Sequence, residues 1–187
     1  MGGVSIPTVP DPSDPAGPRP RHLQPGDGWV ECVCGRRHWG LHGAAGLLLG
    51  RLDDAGRLEV VLQHRAPWSD QGGTWGVPGG AVAPDETATQ GALRETSEEA
   101  GVDPDDVVPF AEHLLDHGPW RYTTVLATVR PGALVLPRPA DAESVDVRWV
   151  AADDVTALPL LPAFAQAWPG LRERLEAATR PSPPPTA

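Results

Sequence analysis

GAVAPDETATQGALRETSEEAGV, Gly80 to Val102, decides the reading of this 187-residue chain. From about Thr87 to Ala100, Ala88, Ala92, Thr96 and Ala100 form an i, i+4 stripe flanked by Leu93, the spacing of an amphipathic helix. Asp85 or Thr87 can cap its start and Gly101 is placed to end it. At about 100° per residue, Glu95, Glu98 and Glu99 share one sector of roughly 100° and repel one another. Glu98 and Glu99 also lie in the last turn, where the macrodipole disfavours negative charge, and Arg94 can soften this through an i, i+4 pair with Glu98. A divalent cation would turn the repulsion into coordination by hard oxygen ligands. For three glutamates alone, a solvated acidic run is an equal alternative.

Working outward, LHGAAGLLLGRL (Leu41 to Leu52) and LEVVLQHR (Leu58 to Arg65) are β-rich runs joined by the turn residues DDAG. The glycine-rich QGGTWGVPGG leads into the helix. After it, VVPFAEHLL and RYTTVLATV face each other across DHGPW, and VDVRWV alternates as a third strand. Pro162 opens a last helix that Pro169 is expected to kink or restart. Strands with helices interleaved at two places predict a mixed α/β sandwich. Residues 1–27 and 180–187 are rich in proline and poor in periodic apolar residues, and read as disordered tails around a single domain at 28–179.

Composition narrows the partners. The net charge is −10 and no lysine occurs, so no basic stripe exists for a nucleic-acid polymer. No apolar run approaches the roughly 20 residues of a membrane span, and no secretion signal opens the chain. Two cysteines are too few for a disulfide scaffold, so the expected address is cytoplasmic.

The segment from Gly80 to Val102 fits G-x5-E-x7-R-E-U-x-E-E-x-G-U through Gly80, Glu86, Arg94, Glu95, Glu98, Glu99, Gly101 and Val102. In this it resembles the Nudix hydrolases. Thr96 departs from the pattern by standing at an aliphatic position, where a β-branched side chain can face the core. GTWGVPGG and AESVDVRWV are similar to the usual surroundings, and the resemblance covers about Leu41 to Ala178. It implies an α/β/α sandwich with a mixed sheet, and metal-dependent hydrolysis of a nucleoside diphosphate linked to some group X. Mg²⁺ or Mn²⁺ would be held by Glu95, Glu98 and Glu99, with Glu86 and Gly80 extending the set. The catalytic positions become Glu98, Glu99, Glu95 and Arg94, the arginine holding a glutamate in place. Glu143, ahead of a strand, is where the family often carries a base, with the loops around Asp70 and Asp116 as alternatives. Two rival readings are a Nudix-fold nucleotide sensor without turnover and a hydrolase of a non-nucleotide diphosphate. Members of the family are often dimers, which leaves a homodimer open.

Cys32, Cys34, His38 and His42 form C-x-C-x3-H-x3-H, four potential ligands for structural zinc. The cysteine spacing is one short of common zinc knuckles, which makes packing or solvent exposure the stronger reading. His113 and His117 would lie about 13 Å apart on one strand and read as ordinary edge residues. Trp68 and Trp120 fall in loops and are the candidates for stacking on a nucleobase, against the commoner role of a tryptophan in the core.

Overall fold

The computed structural model describes residues 24–180. A small antiparallel hairpin comes first, β1 (Trp29–Glu31) with β2 (Arg37–Trp39). The main sheet follows with β3 (Ala44–Leu52), β4 (Leu58–Arg65), β5 (Trp75–Gly76), β6 (Gly79–Ala81), β7 (Val107–Asp116), β8 (Arg121–Val129) and β9 (Ser144–Ala151). Its principal order is β5-β4-β3-β8-β7, with β6 added to β3 and β9 to β4. β3 runs parallel to β8 and antiparallel to β4, so the sheet is mixed. Two helices cover it, α1 (Ala88–Ala100) and α2 (Pro162–Thr179).

Strand alternation explains the layers. In β3, Leu47 and Leu49 point toward α1 and pack with Val61, Ala92, Ala100 and Val125, while Leu48 points the other way to Leu62, Phe164, Trp168 and Leu171. A central strand buried on both faces must be apolar nearly throughout, which is what AAGLLLG supplies. The result is the expected α/β/α sandwich.

The β3–β4 turn forms as its residues require. The Asp53 carboxylate accepts from the Ala55 and Arg57 amides at 2.9 and 2.8 Å. The glycine-rich segment, for which the sequence predicts no element, contributes two short strands, β5 paired with β4 and β6 with the start of β3. α2 corrects the expectation of a restart at Pro169, because one helix runs through the proline. Phe164 and Trp168 before it and Leu171 and Leu175 after it are all buried, so core packing holds both halves helical. The expected tails lie outside the described residues except at their inner ends. There, Gln24–Asp27 forms a turn on the fold, with the Gly26 carbonyl accepting from the Leu41 amide at 2.8 Å.

Candidate active site on the glutamate helix

Both ends of α1 are fixed by the residues the sequence offers. Thr87 takes the N-cap with a reciprocal capping box to Gln90, and Gly101 closes the helix in the left-handed region at φ 64°. Thr96, the departure from the family pattern, is fully buried and donates its hydroxyl to the Ala92 carbonyl at 2.7 Å. A threonine at that position therefore satisfies its own polar group within the helix.

The fixed ends aim the glutamates at the β6 loop. Glu95 and Glu99 are only 3% and 1% exposed, and the Glu99 carboxylate accepts from the Gly79 amide at 2.8 Å. Glu98, with 39% of its side chain exposed, faces outward and accepts from Gln24 Nε2 at 3.4 Å. Gly80 is where the loop admits this crowding: a Cβ there would stand 2.6 Å from the Glu95 carboxylate.

Arg94 binds the group together. Its Nε and Nη2 donate to the two oxygens of Glu86 at 2.7 and 2.9 Å, and its Nη1 donates to Glu95 at 2.8 Å. Nη2 also reaches the Ala81 carbonyl at 3.0 Å, and Nη1 lies 3.5 Å from Glu98. The bidentate Arg94 bond holds the Glu86 carboxyl below its ordinary range, with the Ala83 amide helping against the cost of burial. The same bonds raise the Arg94 pKa further, so its charge is permanent. One arginine against Glu86, Glu95, Glu98 and Glu99 gives these five side chains a formal charge of 1 − 4 = −3.

Glu143 sits in the turn just before β9, half-buried. Its amide donates to Asp141 Oδ1 at 3.1 Å and its carbonyl accepts from the Ala66 amide at 2.8 Å. The next residue, Ser144, donates to Asp141 Oδ1 at 3.0 Å, and the Ala140 amide just upstream donates to the Glu99 carbonyl at 3.0 Å, which ties this turn to the end of α1. Through Ala66 the same turn anchors the loop that carries Trp68, 55% exposed, and Asp70. Trp120 cannot serve a nucleobase. It is 8% exposed, stacks on His38 at 4.1 Å and donates its indole N–H to the Trp39 carbonyl.

Two residues of this neighbourhood were not singled out from the sequence. Tyr122, the lone tyrosine, has its phenol pKa raised chiefly by burial. Arg65 opposes the shift, and the charges of Glu99 and Glu95 add to it. It therefore stays protonated beside the carboxylates. Gln63 is fully buried and donates to Ser144 Oγ at 2.9 Å, while its Oε1 has no hydrogen-bond partner among the described residues. The lone glutamine within the apolar run VVLQ was the signal for it.

The zinc reading needs a correction. Cys32, Cys34 and His38 do come together, but His42 is exposed and lies outside the group; the fourth member is His117. His117 is thus not an ordinary edge histidine. The β7–β8 turn carries it to the β1–β2 hairpin, a partner about 80 residues away that local spacing cannot reveal.

A mixed sheet between two helices, with a glutamate-bearing helix packed on a glycine-rich loop, defines a Nudix-type fold. The chain belongs to the Nudix family: the model of the NUDIX domain matches residues 40–172. It is similar to a nucleoside triphosphate pyrophosphatase/Nudix hydrolase fusion protein of Bifidobacterium longum, with 52% identity over 155 residues, 82% of this chain and 32% of that protein. The chain thus spans about a third of that relative's length. It is also similar to the "Putative 8-oxo-dGTP diphosphatase 3" of Mycobacterium tuberculosis, 48% identical over 153 residues, 79% of this chain and 69% of the relative. Among solved structures, the Nudix hydrolase RenU of M. smegmatis superimposes with a TM-score of 0.72 at 43% identity, covering 84% of this chain and 99% of that one. The NUDIX domain of Shewanella oneidensis NrtR, complexed with ADP ribose, gives 0.56 at 26% identity over 73% and 89%. No helix among the described residues is long and apolar enough to cross a membrane.

Proposed function

We propose that this chain is a metal-dependent pyrophosphohydrolase that cleaves between phosphates of a nucleoside diphosphate linked to X, with nucleoside triphosphates as the first substrate class. The observation that carries the reading is a group of four glutamates at a glycine loop, three of them paired with Arg94 and Glu99 held by the Gly79 amide, with a formal charge of −3. Burying carboxylates beside one another is costly, and a hard divalent cation is the partner that such an oxygen set fits. The clearance that Gly80 gives the Glu95 carboxylate fits the same use. Glu95, Glu98 and Glu99 would hold Mg²⁺ or Mn²⁺, with the Gly80 backbone beside them. Glu86 has both oxygens engaged by Arg94 and is better suited to fixing that arginine. A bound divalent ion would supply charge neutralisation for the phosphate oxygens and a lowered pKa for water.

The chain's own residues do the positioning. Arg94 orients Glu95, the Gly79 amide orients Glu99, and protonated Tyr122 adds no further negative charge. Glu143 is proposed to accept the proton of the attacking water, supported by the Ala140 bond that couples its turn to the helix end. Trp68, exposed on the loop anchored to that turn, is the candidate to stack on a base. The name of the Mycobacterium relative favours a triphosphate with an oxidised purine.

The test of the function is a panel of ordinary and oxidised nucleoside triphosphates, ADP-ribose, dinucleotides and nucleotide sugars with Mg²⁺ or Mn²⁺, read by product identity. Nucleotide binding without product would overturn it. For the base, Glu143→Gln is compared with Asp146→Asn, because Asp141 braces the turn and is not a neutral control. Turnover should fall about a hundred- to ten-thousand-fold in Glu143→Gln alone; equal behaviour of the two variants removes Glu143 from the role.

A further inference from the structure

We propose a structural zinc site formed by Cys32, Cys34, His38 and His117, which fastens the β1–β2 hairpin to the β7–β8 turn. The four ligand atoms all lie within 4.8 Å of one another. Cys34 Sγ is 3.1 Å from His38 Nε2, Cys32 Sγ is 3.7 Å from His117 Nδ1, and the two ring nitrogens are 3.2 Å apart. A tetrahedron built with usual Zn–S and Zn–N bonds has sulfur–nitrogen edges of about 3.6 Å and a nitrogen–nitrogen edge of about 3.4 Å. The two sulfur–nitrogen separations fall on either side of their edge and the nitrogen–nitrogen separation is slightly short of its own, so an ion fits with shifts of up to about half an ångström.

The backbone presents the ligands for this purpose. Cys32 and Cys34 lie at the hairpin tip, where the Gly35 amide donates to the Cys32 carbonyl and Gly35 adopts φ 80°. His38 returns on β2 opposite Val30. Three ligands thus come from seven residues, and the fourth from a turn that the hairpin would otherwise touch mainly through Trp120. Thiolate and imidazole together select zinc over magnesium or manganese, so this site does not compete with the glutamates for the same ion. Four protein ligands complete the tetrahedron and leave no position for substrate, which makes the role structural. Binding converts both thiols to thiolates and releases their two protons to solvent, while the histidines bind as neutral rings. The hairpin precedes residue 40, where the NUDIX match begins, so the site joins an added segment to the family fold.

The experiment is metal analysis of protein purified from zinc-supplemented cells, with excess Mg²⁺ present to occupy carboxylates. Wild type and His42→Ala are expected to hold a single zinc ion per chain, and Cys34→Ser and His117→Ala to lose at least about tenfold in occupancy. Because a variant could fail to fold, wild type stripped by chelator is also titrated with Co²⁺. Tetrahedral ligand-field bands with thiolate charge transfer are expected. Sub-stoichiometric zinc without that spectrum overturns the proposal, as does zinc loss in His42→Ala equal to that in His117→Ala.

Discussion

Replacing Arg94 with methionine removes the cation that binds Glu86 and Glu95 while keeping a side chain of similar length. Four hydrogen bonds of 2.7 to 3.0 Å disappear, three of them to carboxylates. Breaking a buried ion pair costs about 3–5 kcal/mol when the abandoned charge stays buried. Glu95 meets that condition at 3% exposure, but Arg94 itself is 23% exposed and Glu86 21%, so solvent takes up part of the loss. The expected destabilisation is therefore about 2–4 kcal/mol, or roughly 4–16 °C in Tm for a chain of this size. Arg94→Lys keeps the charge but loses the fork, and should fall between wild type and Arg94→Met. The assay is urea denaturation of wild type, Arg94→Met, Glu95→Gln and the double variant. Neutralising Glu95 removes the buried negative charge that Arg94 faces, so the double variant should recover at least about 1 kcal/mol relative to additivity. A cost below about 0.5 kcal/mol for Arg94→Met, or strict additivity with Glu95→Gln, refutes the account of Arg94 as the brace.

Gly80→Ala should lose at least about 1 kcal/mol and most activity, because its Cβ would press on the Glu95 carboxylate, whereas Gly170→Ala in α2 meets open space and should stabilise by about 0.5–1 kcal/mol; urea denaturation of both checks the contrast. Glu86 has a folded pKa below its unfolded one, so its contribution is present above the unfolded value of about 4.3 and is lost as pH falls through the lower folded value. Stability of wild type should therefore drop more steeply than that of Glu86→Gln in this acid window, as followed by Tm against pH. Mg²⁺ or Mn²⁺ at millimolar concentration should raise the Tm of wild type and not of Glu98→Gln, and the variant without metal should be as stable as wild type or slightly more so, since repulsion at the helix end is relieved.

The sheet and α1 were legible because their signals are local. LHGAAGLLLGRL and LEVVLQHR are β-rich runs, DDAG closes a hairpin between them through Asp53, and the Thr87 and Gly101 caps bound one helix. Arg94 as the holder of a glutamate could also be expected, although its two-point grip on Glu86 required the Gly80–Glu86 loop to fold back on α1. Pro169 misled because the local cost of a proline was set against no knowledge of Phe164 and Trp168 packing on the sheet. His42 was assigned where His117 stands for a related reason: a ligand set drawn from two distant turns has no sequence spacing to read. Trp120 was lost to the β1–β2 hairpin that covers it, an element too short to announce itself by periodicity.

The central claim is that the glutamate group hydrolyses a nucleotide-type diphosphate with a divalent ion, and product analysis of purified wild type and Glu98→Gln under Mg²⁺ and Mn²⁺ tests it most directly. Chromatographic separation of the nucleotide and phosphate products identifies the bond broken. Cleavage between phosphates of at least one nucleoside triphosphate or related substrate is expected, strictly dependent on added metal and reduced by orders of magnitude in a folded Glu98→Gln. Wild-type protein that binds nucleotides without releasing product, or Glu98→Gln that turns over at the wild-type rate, would contradict it.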